Sequence, residues 1–392
     1  MKRLIQSSIV SVACALFAMF FGAGNIFLPL DLGRTSGATA YYAMIGFFIT
    51  AAFLPLLGIV AAVLFDGDYR AFLRRIGDVP GTILMFLCFI LVGPFYIIPR
   101  CITLSYDAIK WALPQYDFPY SQLIFVFIVC MLLFEATRKP SRIVDILGRV
   151  LAPLKILLLC AVIVKGIIFH PALPVCTTPG WASFFRGLTE GYGTLDLIAA
   201  IVFASLILPT IKRAAGAEHG PVDHKKVVMM AAKAGFIGAL LLGAVYAGLL
   251  SVAAFNASAI SCVPRAQLLS ALAGIILGGG GGVLASVAVA FACLTTAIAV
   301  TAVFTRYLNR ELFTGRVSYI YCLWITLVIA FTLANLGFEG LVNLVAPLVE
   351  LVYPAMIVLA ICNIAYKLFG FRPVKVPFFV TLLITIFIKF HA

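Results

Sequence analysis

Three stretches of this 392-residue chain place polar chemistry among apolar neighbours. Phe20-Phe21-Gly22-Ala23-Gly24-Asn25, with Pro29 after it, interrupts the first apolar run. Glu190-Gly191-Tyr192-Gly193-Thr194-Leu195-Asp196 brings two glycines, a hydroxyl and two acids to one end of the sixth. Ala292-Cys293-Leu294-Thr295-Thr296 puts two hydroxyls inside the eighth. None of these pairs a nucleophile with a base or has metal-ligand spacing, so the chain is expected not to be an enzyme and to need no cofactor. Their chemistry is the holding of ions. Two mid-helix glycines cost about 1 kcal/mol each, and non-helical backbone at membrane depth survives only where it is buried in protein or lines a cavity. Free N–H groups at such a break can hold a carboxylate, helped by the helix dipole. Free carbonyls and helix C-terminal ends can hold an ammonium group or a metal cation. A zwitterionic amino acid suits such a site. In the third stretch, positions i, i+3 and i+4 share a helix face. The Ala292 carbonyl and the Thr295 and Thr296 hydroxyls can thus offer three oxygens to one hard cation such as sodium.

Each stretch also has a plainer reading. Paired glycines are common where membrane helices touch. Thr194 can open a helix with Asp196 in its first turn. Membrane threonines commonly bond back to the preceding turn. Spacing favours the functional reading. One break lies in the first span and the other in the sixth. Two five-helix halves, each opening with an interrupted helix, are the signature of an inverted-repeat secondary transporter. An odd number of spans per half makes the second half insert upside down.

The elements that must position these residues follow from composition. The chain is 64% hydrophobic and 11% charged, with a mean hydropathy of +1.14. An ordinary soluble domain is about 45–50% apolar and about 25% charged. A soluble enzyme and a disordered chain are both excluded, leaving an all-α polytopic membrane protein. The apolar runs are long and continuous, unlike the alternating strands of a barrel. Eleven candidate spans are expected, over residues 8–32, 39–65, 81–109, 119–135, 146–169, 184–211, 227–255, 282–307, 317–336, 340–367 and 376–389. They group as a first repeat within 1–170, a second within 184–367, and an additional C-terminal helix over 376–389.

The net charge of +13 concerns orientation rather than a nucleic acid partner. With the N-terminus in the cytoplasm, 20 of the 28 basic residues fall on inner segments and seven on the outer half, leaving Lys155 in mid-span. This is a strong positive-inside pattern. It also favours one kinked span over residues 340–367, with Pro347 and Pro354 inside. Splitting that span would carry Lys367, Arg372 and Lys375 outside. The expected location is the inner (cytoplasmic) membrane, with lipid around the protein and an external C-terminus. Lys2-Arg3 before an apolar run raises a signal peptide, but the run is long and ten spans follow, so an uncleaved first helix is expected.

The motifs resemble those of the branched-chain amino acid:cation symporters, the LIVCS or BrnQ-type family, whose members share the LeuT-type fold. Phe21-Gly22-Ala23-Gly24-Asn25-Ile26 with Pro29 resembles the family's first-helix motif. Gly93-Pro94, Pro99-Arg100-Cys101 and Ser105-Tyr106-Asp107 resemble its GP…PRT…SFE. Glu190-Gly191-Tyr192 with Thr194-Leu195-Asp196 resembles EGYxTMD, residues 292–297 resemble ACLTTA, and Tyr353-Pro354 resembles a late YP. The chain departs at Cys101 for Thr, Asp107 for Glu and Leu195 for Met. It also ends after an eleventh helix where the family usually has twelve.

The resemblance implies a 5+5 inverted repeat with discontinuous helices 1 and 6, and sodium-driven import of leucine, isoleucine and valine. It implies a substrate site at Gly22, Ala23, Gly24 and Asn25, where the Ala23 and Gly24 amides face the carboxylate. The backbone of Glu190, Gly191, Tyr192 and Gly193 would face the amine. Carbonyls of Ala18, Phe21 and Ala292, with the hydroxyls of Thr295 and Thr296, would hold sodium. Asn25 would lie beside a second ion or the carboxylate. Proton coupling or exchange through Asp196 or Glu190 stays open, as does a non-transporting receptor on the same fold.

Other signals are set aside. The five glycines at 278–282 lack the Lys-Ser/Thr of a phosphate loop and read as a joint before the eighth span. His219 and His224 read as part of a solvated basic loop. Most of the ten cysteines read as small packing residues, with a Cys176–Cys262 disulfide left open. Arg100 is placed to pair with Asp107, two helical turns on.

Overall fold

The computed structural model describes residues 2–22, 24–138, 156–169, 179–216 and 223–391. Ala23, Cys176 and His219 fall outside them, as do Lys139, Arg142, Arg149 and Lys155. Among the described residues the regular structure is helical throughout. In order come α1 (Lys2–Phe20), α2 (Gly24–Ser36), α3 (Ala40–Phe48) and α4 (Leu54–Leu64). Next are α5 (Tyr69–Leu73), α6 (Asp78–Val92), α7 (Ile97–Ala112) and α8 (Ser121–Arg138). Then come α9 (Ile156–Ile168), α10 (Gly180–Tyr192), α11 (Asp196–Val202), α12 (Ala204–Ala214) and α13 (His224–Phe255). The chain closes with α14 (Leu268–Leu277), α15 (Gly279–Tyr307), α16 (Tyr319–Ala334), α17 (Gly337–Phe369) and α18 (Lys375–His391).

Six helical stretches among the described residues are long and apolar enough to cross a membrane, or up to seven if α10–α11 and Ile207–Ala214, bent by 65°, count as one. A single π-helical turn, Ile49–Phe53, joins α3 to α4 without ending the run. α17 is one continuous helix containing both Pro347 and Pro354. Membrane helices tolerate proline because neighbouring groups re-satisfy the freed carbonyls.

Early helices pack mainly on late ones. α7 lies along α15, α3 along α10, α4 along α11, and α13 along both α1 and α2. Lipid offers no hydrophobic drive between helices, so close approach and dispersion must hold them. The contact of α3 with α10 shows how. A β-carbon on Gly46 would strike the Phe184 carbonyl, and one on Gly187 would strike the Ala43 carbonyl. The outward surface is the reverse, with Leu123, Phe127, Ile128 and Leu132 of α8 exposed and Leu383, Ile384, Phe387 and Ile388 of α18 likewise. An apolar skin of this kind belongs in hydrocarbon rather than water.

Polar contacts mark two opposite ends. At the basic end, Asp66 meets Lys212 at 3.4 Å and His224 at 3.8 Å, and Arg70 pairs with Glu311. Arg75 donates to the Asn363 side chain at 3.0 Å and to the Arg372 carbonyl at 3.2 Å. At the other end, buried Asp31 takes both Arg34 and Arg265, and Arg34 also donates to the carbonyls of Ile260 and Val263.

Three local readings are corrected. The glycine run at 278–282 is no loose joint: Gly278, at φ +90°, ends the preceding segment, and Gly279 through Gly282 form the first turn of α15. Gly282 sits so close to the Trp111 ring that a β-carbon would collide with it. A ten-residue helix, α14, was not foreseen. At about 1.5 Å per residue it is too short to span a bilayer, and it packs on α15, α2 and α7. Arg100 does not pair with Asp107; its guanidinium turns toward the helix breaks described next.

Candidate functional site

Both foreseen interruptions are present. α1 ends at Phe20, where the Gly22 amide folds back to the Phe20 carbonyl at 2.7 Å, and α2 begins at Gly24. α10 ends at Tyr192 and α11 begins at Asp196. Leu195 between them is left-handed at φ +59° and fully buried. A non-glycine residue held there is uncommon and persists only where its surroundings enforce it. The helix therefore breaks in its interior, rather than starting at Thr194 after a surface loop.

The two breaks meet. Asn25, at the first turn of α2, donates to the Asp196 carboxylate at 2.6 Å and to the Tyr246 hydroxyl at 2.6 Å. Tyr246 comes from the middle of α13 and is walled by Phe21 and Phe47. Tyr353 of α17 accepts the Leu197 amide at 3.3 Å and stacks on Tyr192 with ring centroids 4.8 Å apart. Arg100 of α7 donates to the Gly193 carbonyl at 2.7 Å. Its guanidinium carbon lies 2.6 Å from where a β-carbon on Gly24 would sit. Glycine at 24 is what lets the cation reach the backbone of the first break.

Of the expected substrate residues, Gly24 and Asn25 come together with the second break, Gly22 lies toward Thr296 instead, and Ala23 lies outside the described residues. Glu190, Tyr192 and Gly193 line a cavity of about 190 Å³ toward the acidic Asp31 end, with Phe27, Arg265 and Glu350. The carbonyls of this break are not bare. Glu190 accepts from the Gly193 amide, Gly191 from Thr194, Tyr192 from Leu195, and Gly193 from Arg100. Gly191 accepts from both the amide and the hydroxyl of Thr194, whereas the carbonyls of Glu190, Tyr192 and Gly193 each keep a second lone pair.

The expected ion residues face the other way. Ala18, Thr295 and Thr296 line a cavity of about 450 Å³ that runs to Arg306, within the usual range of about 300–1,000 Å³ for small-molecule sites. Gly22 reaches this place too, its would-be β-carbon lying 3.8 Å from the Thr296 hydroxyl. Both hydroxyls donate to the Ala292 carbonyl, at 2.9 Å from Thr295 and 3.0 Å from Thr296. Three oxygens thus do converge, and the plainer back-bonding reading is also correct in this conformation. Phe21 does not line this cavity; its ring is buried against Phe17 and Tyr246.

Sequence reasoning missed Tyr246 altogether and gave Arg100 the wrong partner. The signal for Tyr246 was a single ring with a polar tip inside the small-residue run Gly243-Ala244-Val245-Tyr246-Ala247-Gly248.

Comparison with known proteins bears on this arrangement. A family model described as "Branched-chain amino acid transport protein" matches residues 5–392. The branched-chain amino acid permease BraB of Bacillus subtilis (strain 168) is 30% identical over 370 residues, covering 93% of this chain and 81% of the relative. The permease BrnQ of the same organism is 30% identical over 374 residues, covering 94% of this chain and 83% of the relative. Among solved structures, the inward-facing conformation of Mhp1 aligns with a TM-score of 0.66 at 11% identity, over 92% of this chain and 77% of that one. MhsT in complex with L-phenylalanine aligns with a TM-score of 0.58 at 14% identity, over 97% and 98%. Both are LeuT-fold transporters, and that all-helical fold, discontinuous at the two breaks, is the fold seen here. The chain belongs to the branched-chain amino acid transport protein family.

Proposed function

We propose that this membrane transporter imports leucine, isoleucine and valine by sodium symport, through alternating access across the cytoplasmic membrane. The observation that carries the reading is the junction of two interrupted helices by one buried bond, Asn25 to Asp196, across 171 residues. A break at one helix alone can be packing; two breaks facing each other bring backbone of both polarities to one site. The basic end is cytoplasmic in this reading.

The substrate carboxylate lies at the N-terminal turn of α2, around Gly22, Ala23, Gly24 and Asn25, and the amine at the backbone of 190–193. Sodium lies between the carbonyls of Ala18, Phe21 and Ala292 and the hydroxyls of Thr295 and Thr296. On its arrival the two hydroxyls swing their hydrogens off the Ala292 carbonyl and present lone pairs to the ion. The support is that Ala18, Thr295 and Thr296 share one cavity, which Gly22 adjoins.

The test is leucine uptake into proteoliposomes under an imposed sodium gradient. Uptake that is stimulated by inward sodium is expected; uptake indifferent to sodium sinks the coupling. One observation favours a second reading. Asp196 is buried, accepts only the neutral Asn25 amide among side chains beyond its own loop, and has no basic group within 4.0 Å among the described residues. An intramembrane carboxylate is a default candidate for a proton route. Uptake driven by a pH gradient without sodium would favour it.

A further inference from the structure

Arg100 is 3% exposed, buried between the two helix breaks. A guanidinium carries five N–H donors in a planar fork. Among the described residues this one meets a single acceptor, the Gly193 carbonyl, through Nη1. Its Nε is buried without any partner and no carboxylate lies within 4.0 Å of it among the described residues. Two rings flank it, Tyr96 at 4.5 Å from the guanidinium carbon and Phe27 at 5.9 Å. A buried cation left in this state is costly, and such groups are normally paired.

The fork is also placed with purpose. It lies against the Gly24 backbone, at the N-terminal turn of α2, where the helix dipole already favours an anion. Phe27, Tyr96 and Gly193, three of its neighbours, all line the cavity of about 190 Å³. Arg100 therefore stands directly behind the wall of a small-molecule cavity, its Nε without an acceptor and its Nη2 against the Gly24 backbone.

The geometry points to Arg100 as the residue that binds the substrate's carboxylate, its Nε–Nη2 edge pairing with the two carboxylate oxygens. This assignment rests on the reading of the protein as an amino acid transporter and adds a side chain to a site until now built of backbone. It makes the α-carboxylate an obligatory part of the substrate. Nη1 on the Gly193 carbonyl at the same time ties the second break to the first. Arginine differs here from lysine: a planar fork takes both oxygens, whereas an ammonium is a point charge.

The test uses full-length protein in proteoliposomes, with labelled leucine and three competitors. Leucinol and leucinamide lack the carboxylate, and 4-methylpentanoate keeps it but lacks the amine. In the unaltered protein, leucinol and leucinamide should compete at least tenfold more weakly than unlabelled leucine. Arg100→Lys should raise the half-saturating leucine concentration roughly 10- to 100-fold, the range for a lost charge-assisted bond. It should weaken 4-methylpentanoate in parallel and leave leucinol unchanged. If leucinol competes as well as leucine in the unaltered protein, the assignment is overturned, whatever the variant does. If Arg100→Lys weakens leucine and leucinol alike, or neither, Arg100 is a structural cation and the assignment falls. If the unaltered protein takes up no leucine, the transport reading itself falls first.

Discussion

The amide of Asn25 and the carboxylate of Asp196 lie 2.6 Å apart, each at the first turn of a half-helix that follows a break. Both half-helices therefore point their N-terminal ends at one place. The same amide also donates to Tyr246 at 2.6 Å, so both of its hydrogens are committed.

Asn25→Ala removes the one neutral donor that reaches Asp196 from the first break. We expect a loss of stability of about 1–3 kcal/mol, the usual cost of stranding a buried polar group. Asn25→Asp should be worse, since it sets two carboxylates side by side. Thermal unfolding of the purified protein, compared with leucine uptake, checks the order.

Thr295→Ala and Thr296→Ala should each raise the sodium concentration for half-maximal uptake, while changing leucine dependence little at saturating sodium. Both hydroxyls sit on the cavity beside Ala18. Unchanged sodium dependence in both variants removes the ion site from this face of α15.

Gly187→Ala should separate α10 from α3, because the added carbon would meet the Ala43 carbonyl, which is backbone and cannot swing away. Overpacking of this kind costs about 1–3 kcal/mol. Gly340→Ala, whose nearest neighbour would be the Leu336 β-carbon at 3.4 Å, is the matched control and should be near neutral. Melting temperatures of the two variants settle the comparison.

At the opposite end from the basic loops, Asp31 is 3% exposed, whereas its partner Arg265 is 31% exposed. Asp31→Ala strands two arginines, one of them largely buried, and should cost about 3–5 kcal/mol. Arg265→Ala leaves Asp31 paired with Arg34 and should cost about 1 kcal/mol or less. A double variant that is no worse than Asp31→Ala alone would show that Arg265 acts through Asp31.

Much of the site was legible along the chain. Gly22, Gly24 and Asn25 announced a break because glycine pairs are poor helix formers in an apolar run, and Glu190 through Asp196 did so for the same reason plus two charges. Thr295 and Thr296 were legible because three and four residues make one helical turn. Arg100 was misread because the same local logic offered Asp107, two turns along α7, as its mate. Its actual acceptor, the Gly193 carbonyl, is 93 residues away. Tyr246 was invisible because a ring in a small-residue helix has no local reason to be functional; its reason is Asn25, 221 residues distant.

By itself the sequence determined where helices run, where they fail and which loops are basic. These are local properties, set by hydrophobic length, by glycine and proline, and by the cost of moving charge through lipid. Only the tertiary structure decided which failures meet. It seated Arg100 between the two breaks with its Nε unpartnered, and set the Thr296 hydroxyl of α15 beside Gly22. Those pairings depend on how early helices cross late ones through backbone-close contacts such as Gly46 and Gly187, and no periodicity within a single helix encodes the partner across such a crossing.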